Sequence, residues 1–135
     1  MATERETTNR LMLRSRDAMD RDYRNELDIA ALAQIACVSQ AHFIRTFKAT
    51  FGETPHRYLQ RRRVERAMYL LRTTSTAITD ICMDVGFSSL GTFSRTFAEI
   101  LGETPTQYRA RGRLDDVPSC FVRAWTRPSS FGEAP

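Results

Sequence analysis

The segment Gly52-Glu53-Thr54-Pro55 returns unchanged as Gly102-Glu103-Thr104-Pro105, and each copy closes a stretch rich in phenylalanine, FIRTFKATFGETP and then FSRTFAEILGETP. A repeat of this closeness in a chain of 135 residues leaves room for two copies of one small unit and little else. The tetrapeptide also has a local meaning. Glycine costs least at the positive φ that commonly ends a helix, threonine is a good N-cap, and proline at the first helical position gives up only a donor that lacks a partner there. Gly-Glu-Thr-Pro therefore reads as the stop of one helix and the start of the next at a fixed angle.

Apolar residues recur at three- and four-residue spacing, and no alternating valine- or isoleucine-rich run precedes residue 117, so the body is expected to be all-α. The expected architecture is two helix-turn-helix subdomains joined by a long linker helix, about seven helices in all, with an irregular C-terminal tail. The boundaries are 8–55 for the first unit, 55–72 for the linker, 73–111 for the second unit and 112–135 for the tail.

A first helix is expected over Thr8–Asp22, with Leu11, Met12, Ser15, Ala18 and Met19 inward and Arg14, Asp17, Asp20 and Arg21 facing water. Asp28 caps a short helix carrying Ile29, Leu32, Ala33 and Ala36, Cys37-Val38 turns, and Ser39 caps a second helix with Phe43 and Phe47 inside. This short helix, tight turn and second helix is helix-turn-helix spacing. The linker buries Tyr58, Leu59, Val64, Ala67, Leu70 and Leu71 and carries Arg57, Arg61, Arg62, Arg63 and Arg66 on its other side. Of the run Arg61-Arg62-Arg63, at most two face phosphate and one pairs with Glu65, Glu26 or Asp28. Ser75 is the expected cap of the next helix. Ile78, Ile81, Cys82 and Val85 repeat the first unit at an offset of 49, whereas Phe93, Arg95 and Phe97 repeat Phe43, Arg45 and Phe47 at 50, so one residue is inserted within Ser88–Gly91.

The net charge is only +4, but twelve basic and six acidic residues fall within 29–113, so the basic excess lies in the repeated region. Nineteen of the twenty cations are arginine, whose fork matches phosphate and guanine edges. Three cysteines without paired spacing (Cys37, Cys82, Cys120) and two separated histidines (His42, His56) argue against a disulfide scaffold, a metal site or a catalytic triad. No catalytic residue, cofactor or metal is expected. No apolar run approaches the roughly 18 residues of a membrane span, and MATERETTNR lacks a secretory signal, so a cytoplasmic protein without membrane contact is expected.

The stretches Leu32-Ala33, Val38-Ser39, Arg45-Thr-Phe47 and Gly52, then Ile81-Cys-Met-Asp-Val-Gly-Phe87, Phe93-Ser-Arg-Thr-Phe97 and Gly102-Glu-Thr-Pro-Thr-Gln-Tyr-Arg109, resemble the DNA-binding domain of the AraC/XylS family of transcription regulators. The resemblance covers residues 8–111. Cys82 stands where the family usually has alanine, and Leu90 and Gly91 stand where several members carry polar, base-reading side chains. The resemblance implies a regulator, often an activator, that binds double-stranded DNA as two adjacent half-sites. Carried over by position, Gln40, Ala41, His42, Ile44, Arg45 and Lys48 enter one major groove, and Ser89, Leu90, Gly91, Thr92, Ser94 and Arg95 the next. Ser39, Ser88, Thr92 and helix N-termini contact phosphate. The effector-binding domain of the larger members is not expected in the stretch before Thr8. Arg45 and Arg95 have a second reading, in which each pairs with an acid and braces its own unit. The functional alternative is a helical interaction module that contacts RNA polymerase or another regulator.

Overall fold

The computed structural model describes residues 3–111, which form seven helices: α1 (Glu4–Arg21), α2 (Ile29–Ile35), α3 (Gln40–Phe51), α4 (Pro55–Thr73), α5 (Ile78–Asp84), α6 (Leu90–Leu101) and α7 (Pro105–Ala110). The tail expected from residue 112, with Cys120 and Trp125, lies outside the described residues. Helices α1, α2 and α3 pack on one another, with α1 and α3 also on α4, while α5, α6 and α7 all pack on α4. The long helix therefore serves both units. Its beginning closes the first and its end opens the second, so α1 stands to α2 and α3 as α4 stands to α5 and α6.

Both turns follow the repeat. The amide of Val38 donates to Ala33 O and that of Phe87 to Cys82 O, and both turns pass through positive φ, at Cys37 (60°) and Gly86 (104°). The N-caps that follow are Ser39 and Ser89, whose hydroxyls accept from the amides of His42 and Thr92. Matching turn to turn and cap to cap places the inserted residue at Ser88. Because Cys37 is exposed and a left-handed L-residue is strained by about 1 to 2 kcal/mol, part of which glycine's larger entropy loss offsets, Cys37→Gly is expected to stabilise the chain by up to about 1 kcal/mol. A thermal melt checks this, and an unchanged or lower midpoint contradicts it.

Two boundaries differ from expectation. Helix α1 begins at Glu4 because Thr3 and Glu6 form a capping box, each side chain bonded to the other's amide. Ser75 does not cap α5, whose N-cap is Ala77 with no side-chain hydrogen bond. Instead Thr74 ends α4, its hydroxyl donating to Leu70 O and accepting from Thr76 N, and Arg109 of α7 donates to the carbonyls of Leu71, Thr74 and Thr76. The connection is tied from α7 and does not depend on a capping side chain.

The repeated tetrapeptide works as read, with one addition. Gly52 and Gly102 hold φ of 81° and 79° at helix ends, and Thr54 and Thr104 cap α4 and α7 with Pro55 and Pro105 at the first turn. The glutamates also have a shared role. Glu53 accepts from Arg61 Nε at 2.9 Å and Glu103 from Arg111 Nε at 2.8 Å, each arginine eight residues onward. The tyrosines between them, Tyr58 and Tyr108, are buried against Phe47 and Phe97 with centroids 5.7 and 5.6 Å apart.

Asp20 does not face water as the helical pattern suggested. Its carboxylate is buried, accepting from Tyr58 Oη at 2.6 Å and Arg62 Nε at 3.0 Å, and Arg62 also meets Glu65 at 3.5 Å. In the second unit the matching tyrosine, Tyr108, instead has Arg72 over its ring, the guanidinium carbon 4.1 Å from the centroid. All three cations of the run Arg61-Arg62-Arg63 have partners within the protein: Arg61 binds Glu53 and Glu65, Arg62 binds Asp20 and Glu65, and Arg63 donates to the carbonyls of Tyr23 and Asn25. Only the pairing with Glu65 was foreseen. Only Arg62 is drawn to a buried acid of a neighbouring helix, Asp20 of α1, while Arg61 finds acids in α4 and just before it and Arg63 finds backbone carbonyls.

Candidate nucleic-acid interface

Helices α3 and α6 are each twelve residues long and two-faced for the same reason. Phe43 and Phe47 in α3, and Phe93 and Phe97 in α6, are fully buried one turn apart, with ring centroids 5.7 Å apart in each pair. Burying four aromatic rings fixes the roll of each helix, because rotating either one would expose them at about 1.5 to 3 kcal/mol per side chain. Whatever lies opposite the rings must then face outward.

That outer face holds the residues singled out from sequence. Gln40, Ala41, His42, Ile44, Arg45 and Lys48 of α3 are exposed, as are Leu90, Gly91 and Arg95 of α6 with Ser88 and Ser89 before it. Thr92 and Ser94 are half-buried. Ile44 and Leu90, large aliphatic side chains on this face, keep 39% and 45% of their surface in solvent. A Cβ added to Gly91 would meet nothing within 4 Å, so the backbone of α6 is bare there.

Some of the polar groups already have local work. Ser39 Oγ accepts from His42 N, which leaves its O–H to donate outward. Ser89 Oγ both accepts from Thr92 N and donates to Thr92 Oγ1, so its hydroxyl is spoken for. Arg45 and Arg95 differ from the other arginines of the repeat: both are exposed, and among the described residues neither has an ion-pair partner. The bracing role weighed for them is filled by Arg61, Arg62, Arg109 and Arg111.

The helix that sets the separation of the two faces spans nineteen residues, Pro55–Thr73, about 28 Å at 1.5 Å per residue. Adding the width of the attached helices brings this near the 34 to 36 Å between successive major grooves on one side of B-DNA.

A family described as a helix-turn-helix domain matches residues 32–111, more than half of the chain and including α3, α4 and α6. The chain belongs to the AraC-type helix-turn-helix family. Among solved structures of AraC-type domains, the DNA-binding domain of the global transcriptional factor AdpA in complex with a target DNA superposes with a TM-score of 0.69 at 27% identity, over 73% of this chain and 89% of that one. An uncharacterized HTH-type transcriptional regulator of Haemophilus influenzae is 35% identical over 69 residues, 51% of this chain and 23% of that protein. The transcriptional activator RhaS of Escherichia coli is 35% identical over 71 residues, 53% of this chain and 26% of its own length. The chain thus spans about a quarter of the length of such relatives. As an AraC-type domain it is a module for binding double-stranded DNA, and its described residues are helical and form two helix-turn-helix units. Among the described residues no helix is long and apolar enough to cross a membrane.

Proposed function

We propose that the chain is a sequence-specific transcription regulator, acting as an activator in the cytoplasm and doing no chemistry of its own, that lays α3 and α6 in adjacent major grooves of one duplex. The observation that carries this is the matched pair Arg45 and Arg95: equivalent positions on two helices of fixed roll, both exposed, neither paired within its unit. An arginine left in solvent at both copies of a repeat, while the other described arginines of the repeat have partners within the protein, suits a forked contact to a guanine edge or a phosphate. On α3, Gln40, His42 and Lys48 supply further polar contacts, and Ala41 and Ile44 meet thymine methyl groups. On α6, Leu90 and bare Gly91 give apolar and close-backbone contact with little hydrogen-bond readout, while Ser94 and Thr92 flank Arg95. Ser39 and Ser88, at the turns, face phosphate. Activation is supported by the likeness to RhaS, an activator.

The two units are unequal readers. The α3 face is rich in donors and acceptors, whereas the start of α6 is apolar, so the first half-site is read more stringently than the second.

A salt titration tests the reading against a purely protein-binding module. Gripping about six to ten phosphates makes the affinity for a duplex fall by roughly three to five orders of magnitude between about 50 and 200 mM salt. Duplex binding that is absent at low salt, or insensitive to salt, contradicts it.

A further inference from the structure

The turn of the second unit lies against the first unit at one point. A Cβ built on Gly86 would fall 2.9 Å from both Arg24 O and Arg63 Nε, closer than real Cβ contacts come, and a tight 3.1 Å from Arg24 Cα. Arg24 sits in the connection between α1 and α2, part of the first unit, while Gly86 sits between α5 and α6, part of the second. Arg63 of α4 holds them together. Its Nε donates to Tyr23 O and its Nη2 to Asn25 O, both at 2.7 Å, gripping the carbonyls on either side of Arg24, and its guanidinium carbon lies 5.9 Å from the ring centroid of Phe87, next to Gly86.

The molecule contains its own control. Cys37 holds the equivalent turn position of the first unit at φ 60° with a side chain in place. The turn as such therefore does not demand glycine. At Gly86 the wider φ of 104° and the missing Cβ together let the two backbones touch, which ties the glycine to the contact between units. Both units also pack on the shared helix α4, and the long, solvent-exposed pair between that helix and α6, Arg57–Glu99 at 3.8 Å, contributes little to rigidity.

We infer that Arg63 and Gly86 fix the angle between the two helix-turn-helix units and so determine which spacing of half-sites the chain accepts. A single long helix restrains separation but leaves twist and bend, and a second contact off its axis removes them. Since one inserted base pair rotates a half-site by about 34° as well as displacing it, rigidity at this contact converts directly into spacing selectivity. The link to spacing rests on the proposed two-groove binding, whereas the rigidity does not.

Two measurements test it on the full chain. Nitroxide labels on Cys37 and on an introduced Thr106→Cys, both exposed, in a Cys120→Ser background, report the distance between units by pulsed electron paramagnetic resonance without DNA. The wild-type contact predicts one narrow distribution. Arg63→Met, which keeps bulk and removes both hydrogen bonds, broadens it, and Gly86→Ala shifts it, with helical content retained. Arg63→Lys, able to reach one carbonyl, falls between. A broad wild-type distribution, or an unchanged one in Arg63→Met, overturns the inference, and the latter holds even if Gly86→Ala fails to fold. On a duplex selected by the wild type, inserting one base pair between half-sites is expected to weaken wild-type binding at least about tenfold but Arg63→Met less than about threefold. Equal discrimination by both proteins overturns the role in spacing. Absence of any duplex binding, with the resonance result intact, would instead sink the two-groove reading.

Discussion

Asp20→Ala is expected to lower the unfolding free energy by about 3 to 5 kcal/mol, and the melting temperature by on the order of 10 °C or more. The aspartate side chain is 6% exposed and its partner Arg62 is 5% exposed. Truncation leaves the Arg62 guanidinium without its closest acid, with Glu65 at 3.5 Å, and strips Tyr58 Oη of its 2.6 Å acceptor. The cost is therefore mostly that of stranding buried groups. Asp20→Asn, which keeps the acceptor oxygen, should cost markedly less. Burial raises the Asp20 carboxyl above its ordinary range against the opposing pull of Arg62, and burial likewise raises Glu65 against Arg61 and Arg62. A raised folded-state value means that these two groups favour folding fully at acid pH and lose that contribution as the pH climbs through it. Chemical denaturation checks the prediction, and a loss below about 1 kcal/mol for Asp20→Ala would show that the network is not what holds α1 to α4.

Arg45→Ala and Arg95→Ala are each expected to weaken specific DNA binding by about 1 to 3 kcal/mol, roughly five- to 150-fold. Their stability should stay within about 0.5 kcal/mol of the parent, as for surface positions without packing or pairing roles. Both side chains are exposed and outside every ion pair of the described residues, so their removal strands nothing. The two effects should add, because the sites lie on different units and share no partner among the described residues. Fluorescence anisotropy on a selected duplex, paired with thermal melts, separates the outcomes. Normal binding with melting several degrees lower would restore the idea that these arginines brace their units.

The repeat made most of the fold legible. Helix stops at Gly52 and Gly102, caps at Ser39, Thr54 and Thr104, and the four buried phenylalanines all follow from short-range chemistry that a sequence displays directly. The start of α1 was also legible in principle, since Thr3-Glu4-Arg5-Glu6 has the spacing of a capping box. What spacing could not reveal is the choice of partner between helices. Asp20 and Arg62 look like solvated charges on two amphipathic faces, and only the packing of α1 on α4 turns them toward each other. The same holds for Arg63, which reads as one more linker cation until the connection after α1 offers it two carbonyls. The outward faces of α3 and α6 were readable because burying the rings decides them locally. The contact at Gly86 was not, because a turn glycine has a sufficient local explanation already.

The most direct test of two readers on one chain is selection of bound sequences from a random pool of duplexes about 30 base pairs long, sequenced over several rounds. Two unequal motifs centred about one helical turn, 10 to 10.5 base pairs, apart are the expected result, with the stronger one assigned to α3 by its loss in Arg45→Ala. Enrichment of a single motif, or of two motifs with no preferred spacing, would contradict the account.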